Sequence, residues 1–288
     1  MKSLLFMSLI FVLLFLIFLG TDFLLAEQTK ASPLGDAGRR ISTKKPENFP
    51  AKGQLKLILL TGQSNMAGRG FITHENEQLN PSVFMLTKDY KWITAKDPVH
   101  FDKSTAGVGP ARTFAEEYLK DNPDAYIGLV PTACGGSKLA EWLPGAFCDS
   151  THTHPWDDAV KRIGAASQDG EWIAVLFHQG EGDVGGKNAE VYGTKLQDFI
   201  ERTRTELGDE KIPFIIGELG RWNKREERSG QILVTAAHKE AAEKNSPAAF
   251  VSSEGLTSNP DKIHFDSKSQ KEFGRRYYNA FKKITESK

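Results

Sequence analysis

A three-layer α/β/α domain on a five-stranded parallel sheet is the fold class this sequence predicts, on three observations. Short apolar runs without strict alternation recur along the chain, segments with helical spacing lie between them, and polar loops follow the ends of the runs. Strands covered on both faces read as continuous apolar stretches, and strand alternating with helix is the pattern of a parallel sheet. The runs are Leu55–Leu60, Tyr126–Val130, Trp172–Phe177, Pro213–Ile216 and Ala248–Val251, each ending near Gly, Ser or Pro.

The elements follow in chain order. Residues 4 to 19 are apolar except for Ser8, with Lys2 ahead and a small residue, Ala26, behind. That layout predicts a secretory signal over residues 1–26, with an uncleaved membrane anchor as the alternative, and so a secreted or periplasmic protein. Residues 27–53 mix Lys, Ser, Pro, Gly and Glu and are expected to form a flexible tether, leaving 54–288 as the folded domain. After the first strand, residues 70 to 110 are the least regular stretch, with a small hairpin expected around Val83–Leu86 and Trp92. Pro110 suits the first turn of a helix carrying Phe114, Tyr118 and Leu119. A second helix places Leu196, Phe199, Ile200, Thr203 and Leu207 on one stripe and stops at Gly208. Ile232 to Glu243 and Glu272 to Ile284 supply two more.

Of 288 residues, 37 are basic and 37 acidic, so the formal charge is zero and the electrostatic footprint of a nucleic-acid binder is missing. Neutrality likewise predicts no membrane contact by the mature domain unless the N-terminal segment is retained. In an exported protein the two cysteines, Cys134 and Cys148, are candidates for one disulfide, with two buried thiols as the alternative. No Cys-x-x-Cys pair supports a zinc knuckle or redox site. His152 and His154 near Asp157 and Asp158 read as a polar loop rather than a metal site, and no metal or other cofactor is expected.

Chemistry in parallel α/β sheets sits at the carboxyl ends of the strands. Here the first strand runs into Gly62-Gln63-Ser64-Asn65-Met66, the second into Cys134-Gly135-Gly136-Ser137 and the third into His178-Gln179-Gly180-Glu181. A late loop carries Asp261-Lys262-Ile263-His264. A serine at a sheet rim attacks a carbonyl when a base lies within hydrogen-bond reach and a third group orients that base. Asp261 and His264, three apart in a turn, suit those two roles. The oxyanion needs fixed donors, for which the Ser64 and glycine-loop N–H groups and the Gln179 amide are candidates. Each piece alone is commonplace, and it is their joint placement that carries weight.

Together and in this order, Gly-Gln-Ser-Asn-Met, the double glycine, His-Gln-Gly-Glu and Asp-x-x-His resemble the SGNH-hydrolase superfamily. More narrowly they resemble its sialate O-acetylesterase and acetylxylan-esterase-like branch, of the carbohydrate esterase family 6 type, from residue 54 to the end. The resemblance implies a flavodoxin-like sheet and a metal-independent serine esterase acting on acetylated carbohydrate. It implies Ser64 as nucleophile, His264 as base, Asp261 as its partner, and Gly136 (with Gly135 beside it) and Gln179 around the oxyanion. Glu181 is expected in the hydrogen-bond network around His264. Phe177 and Gly182 stand where the branch often carries tryptophan and serine, departures expected to alter pocket shape. The competing readings are a lipase- or thioesterase-like hydrolase and a sugar-binding module using Trp142, Trp156 and Trp222.

Overall fold

The computed structural model describes residues 45–222 and 228–286. The predicted signal and residues 27–44 of the predicted tether lie outside them. The rest of that tether is not free. Phe49 packs edge-on against Phe84 at 5.1 Å between ring centroids and lies 6.1 Å from Trp92, while Lys45 reaches Asp169 at 2.9 Å. The partly buried Phe49 ring offsets part of the entropy lost in ordering this segment, and the Lys45–Asp169 and Asn48–Pro81 contacts add to it.

The sheet has seven strands: β1 (Leu55–Gly62), β2 (Val83–Leu86), β3 (Trp92–Thr94), β4 (Tyr126–Pro131), β5 (Gly170–His178), β6 (Phe214–Gly217) and β7 (Ala248–Val251), in the order β3-β2-β4-β1-β5-β6-β7. All neighbours are parallel except β2 and β3. The sheet is therefore mixed, not five-stranded and all-parallel. The five expected strands are present, and the hairpin anticipated near Val83 docks on the free edge of β4 through Val83, Phe84 and Met85. That register buries all four β2 side chains, which a detached hairpin would leave in water.

Helices follow the same logic. They are α1 (Ser64–Ala67), α2 (Ala111–Asp121), α3 (Pro155–Ala166), α4 (Lys187–Glu190), α5 (Tyr192–Leu207), α6 (Arg228–Lys244) and α7 (Ser267–Glu286). Alternate residues of each strand feed two separate cores. Leu55, Leu57, Leu59, Val175 and Phe177 join Trp156, Ile163, Phe199 and Val234 from α3, α5 and α6. Ile58, Leu60, Leu129 and Leu176 join Phe114, Phe273 and Phe281 from α2 and α7. Covering on both faces is why the strand runs show no polar alternation. Sequence reading missed α3, although Pro155 at its start, Asp157 and Asp158 in its first turn and the spacing of Trp156, Ala159 and Ile163 are all helix signals. Among the described residues no helix is long and apolar enough to cross a membrane.

β1 lies at the centre, with β4 on one side and β5 on the other. The loops leaving these three carboxyl ends are therefore neighbours, though they start at Gly62, Pro131 and His178, far apart in the chain.

Candidate active site

Ser64 opens α1 directly after β1 and is buried to 6% exposure. Its Oγ lies 2.9 Å from His264 Nε2, and His264 Nδ1 lies 2.7 Å from Asp261 Oδ2. The other Asp261 oxygen accepts the backbone N–H groups of Ile263 and His264 at 2.9 and 3.0 Å. Partial burial opposes ionisation of Asp261, but the His264 and Ile263 backbone bonds and the His264 ring outweigh it and hold the carboxyl below its ordinary value. A carboxylate so held accepts Nδ1–H and leaves Nε2 to face the serine.

The His264 loop is gripped by Asn65, the residue after the serine. Its Oδ1 accepts Phe265 N–H at 3.1 Å, and its Nδ2 reaches Ile263 O at 3.4 Å and also donates to Glu181 Oε1. Asn65 thus holds the backbone on both sides of His264. Glu181 reaches His264 only through Asn65, not by direct contact. Its Oε1 also lies 3.4 Å from His178 Nε2, an ion-pair separation rather than a hydrogen bond. Burial disfavours the Glu181 charge, yet His178 and Asn65 overcome that cost and keep its carboxyl below the usual range.

The double glycine is built differently. Gly135 N–H donates to Asp102 Oδ2 at 2.9 Å, Asp102 is paired with Arg69 at 2.6 Å, and both side chains are buried. A Cβ on residue 135 would sit 2.4 Å from Asp102 Oδ2 and 2.5 Å from Arg69 Nη2, so only glycine fits beside that pair. Ser150 Oγ donates to Gly135 O at 2.6 Å from the other direction. Gly136 turns at φ +85°, a conformation that favours glycine. Neither Gly136 N–H nor Ser64 N–H donates to an acceptor among the described residues, whereas Gly135 N–H is taken. Of the two glycines, Gly136 is therefore the one with a donor to spare.

Gln179 is placed otherwise than the sequence led us to expect. It is fully buried, with Nε2 donating to Asp183 Oδ2 at 2.6 Å and to Ser137 O at 3.0 Å, while Oε1 accepts from Tyr192 Oη at 2.8 Å. Both amide hydrogens are occupied, leaving none for an oxyanion. What Gln179 does is fasten the carbonyl of Ser137, one residue past Gly136.

A profile of the carbohydrate esterase family described as sialic acid-specific acetylesterase matches residues 54–283. The chain belongs to this family. The esterase is 31% identical over 240 residues to a probable carbohydrate esterase of Arabidopsis thaliana, covering 76% of this chain and 87% of that protein. The X-ray structure of an Arabidopsis thaliana protein superposes with a TM-score of 0.67 at 30% identity, over 81% of this chain and 98% of that one. A carbohydrate acetylesterase from Xanthomonas citri shares the fold at a TM-score of 0.64 and 17% identity, over 81% of this chain and 57% of that one. The protein is accordingly a carboxylic ester hydrolase of the carbohydrate-acting type.

Other sequence candidates fall elsewhere in the esterase. Trp142 and Trp156 are buried in the α5-side core, and Trp222 packs on Phe265 at 4.8 Å, so these indoles are packing rather than open sugar platforms. Phe177 is fully buried against Phe199 and Phe214 and does not shape a pocket. Gly182 does lie near the site, its N–H 3.4 Å from Gln63 Oε1. Cys134 and Cys148 are free buried thiols, not a disulfide. Cys134 Sγ lies instead 2.9 Å from Thr151 Oγ1, and burial, reinforced by the neighbouring Cys148, pushes its thiol up to about 12. His154 Nδ1 faces the carbonyls of Gly145 and Ala146, and no metal-binding cluster of His, Cys, Asp or Glu exists among the described residues. Asp102 and Arg69 are not legible in the sequence because no spacing rule links residues 33 apart; Asn65 lies within the Gly62-Gln63-Ser64-Asn65-Met66 stretch, where nothing local marks its grip on the His264 loop.

Proposed function

We propose that this esterase removes O-acetyl groups from carbohydrate with Ser64 as nucleophile, His264 as general base and Asp261 as the group that orients it. The observation that carries the reading is the unbroken chain Ser64 Oγ, His264 Nε2, His264 Nδ1, Asp261 Oδ2 at hydrogen-bond distances. His264 takes the serine proton as Oγ attacks the acetyl carbonyl carbon. The oxyanion that forms rests on the N–H groups of Ser64 and Gly136, two donors that no acceptor among the described residues claims. As the tetrahedral species collapses, His264 returns the proton to the departing sugar oxygen. The acetyl-serine left behind is hydrolysed by a water that His264 deprotonates in turn. The apolar leader over residues 1–26 supports export of the enzyme, where acetylated polysaccharide would be met.

Acetate release from acetylated glycans tests the assignment, with Ser64→Ala as the control. Turnover should fall by roughly three to six orders of magnitude while the thermal unfolding curve is preserved. Retention of most activity in that variant removes Ser64 from the mechanism.

A further inference from the structure

Asp102 and Lys103, neighbours in sequence, grip opposite sides of one residue. The Asp102 carboxylate takes Gly135 N–H at 2.9 Å. Lys103 Nζ donates to Ser150 Oγ at 2.6 Å, and Ser150 Oγ donates to Gly135 O at 2.6 Å. The direction of this second chain is fixed by the chemistry of its ends. An ammonium can only donate and a carbonyl can only accept, so the hydroxyl between them accepts from Lys103 and gives its proton to Gly135. Lys103 is close to the next residue as well: a Cβ on Gly136 would lie 2.5 Å from Ser150 Oγ and 3.6 Å from Lys103 Nζ. Among the described residues no carboxylate pairs with Lys103, and the adjacent Asp102 is taken by Arg69 at 2.6 Å.

Gly135 O and Gly136 N–H are the two ends of one peptide unit. That peptide is trans, so its ends point in opposite directions and the chain from Lys103 continues through it to the Gly136 N–H. A hydrogen bond accepted by a peptide oxygen draws electron density from the nitrogen and makes the N–H a stronger donor. A cation behind the hydroxyl strengthens this further, because charge-assisted hydrogen bonds are the stronger kind. Gly136 N–H has no acceptor among the described residues. The chain thus ends on a donor that is free to act on a bound group.

We propose that Lys103 and Ser150 are positioning residues that polarise the Gly135–Gly136 peptide toward the developing oxyanion. This rests on the reading above, in which Gly136 N–H receives that oxyanion. The positive charge sits at the far end of a line that runs Lys103 Nζ, Ser150 Oγ, Gly135 O, Gly136 N–H. Its effect is felt only when negative charge gathers on the carbonyl oxygen, so it lowers the barrier without tightening the ground state. Loss of a whole oxyanion donor costs about 10²- to 10³-fold in kcat. Cooperativity along a hydrogen-bond chain strengthens each bond by roughly 10–30%. Removing the charge should therefore cost about two- to eightfold, and removing the hydroxyl more, since Gly135 O is then released as well.

Aryl acetate hydrolysis by the full-length chain, Lys103→Met, Ser150→Ala and the double variant tests the proposal. Lys103→Met should lower kcat about two- to eightfold and Ser150→Ala about three- to thirtyfold, each with KM within about twofold and the melting temperature unchanged. The double variant should be no slower than Ser150→Ala, because the line is already cut there. Lys103→Arg and Ser150→Thr, which keep the charge and the hydroxyl, should recover most of the rate. Lys103→Gln, which keeps a donor for Ser150 but not the charge, should stay as slow as Lys103→Met. Full recovery in Lys103→Gln would reduce Lys103 to a tether and overturn the proposal. Unchanged kcat in Lys103→Met, losses confined to KM, or losses that multiply in the double variant would each overturn it too, the last by placing Lys103 on the substrate itself. Ser64→Ala is read alongside. Turnover retained in that variant condemns the triad reading, whereas turnover lost there with Lys103→Met unaffected condemns the polarisation alone.

Discussion

The two halves of the proposed catalytic centre are built by opposite means. The proton-handling half, Asp261 and His264, is a four-residue turn near the surface, with the Asp261 side chain 42% exposed and its bonds made to its own next residues. The oxyanion half, Gly135 and Gly136, owns no such local order. It is held by a buried Asp102–Arg69 pair, by Ser150 and, through Ser137, by Gln179, residues scattered along the chain. A local turn tolerates a solvated carboxylate because two backbone N–H bonds from the next residues fix its position whatever the solvent does. A scaffold assembled from distant groups must be dry, since only low dielectric gives an ion pair enough strength to fix a backbone N–H. Damage to the first half should therefore show in turnover alone, and damage to the second in turnover and stability together.

Removing the base breaks the first half outright. His264→Ala should lower acetate release by roughly four to six orders of magnitude with the melting temperature nearly unchanged. Asp261→Asn should cost about 10²- to 10⁴-fold in kcat, and its pH–rate profile should change shape while KM stays close to its original value. A stability loss as large as the activity loss in either variant would erase the contrast between the halves. Asp102→Ala strikes the second half by leaving buried Arg69 uncompensated. It should destabilise by about 3–5 kcal/mol in chemical denaturation and lower kcat roughly tenfold to a thousandfold. Asn65→Ala loosens both flanks of His264 and should reduce kcat about tenfold to a hundredfold, with KM little altered.

Glu181→Gln gives the smallest effect and the one with a pH signature. The folded-state pKa of Glu181 is depressed, so its stabilising contribution is present above the ordinary glutamate value and lost as pH falls through the folded value. The difference in stability between the unaltered protein and Glu181→Gln should therefore be widest near neutrality and narrow below about pH 4. A difference that grows on acidification would show that Glu181 is not held ionised in the fold.

These contrasts mirror what the sequence encodes locally and what it does not. The contact of Ser64 with His264 and Asp261 was legible because these residues stand in short motifs, and a turn of three or four residues is a local property. Strand positions were legible for a similar reason, since runs such as Leu55–Leu60 are apolar on both faces and admit few other readings. The hairpin at Val83 was visible as a hairpin, but its place on the edge of β4 was not, because edge pairing depends on which apolar face remains uncovered. Helix α3 carries its own start signals, Pro155, Asp157 and Asp158, directly after the polar His152–His154 stretch.

Gln179 and the two cysteines show the limit more sharply. A glutamine at a strand end looks like a free donor until Asp183 and Ser137 are seen to claim both of its hydrogens. Two cysteines look like a disulfide until Cys134 is found against Thr151 in a buried pocket wall. By itself the sequence determined the parallel α/β core and pointed to the residues that form the Ser64–His264–Asp261 hydrogen-bond chain, because periodicity and short-range hydrogen bonding are encoded within a few residues. The tertiary structure alone decided which backbone N–H groups stay free and which polar groups are consumed. Those properties depend on who fills the space around each group, and in a packed interior the neighbours come from anywhere in the chain.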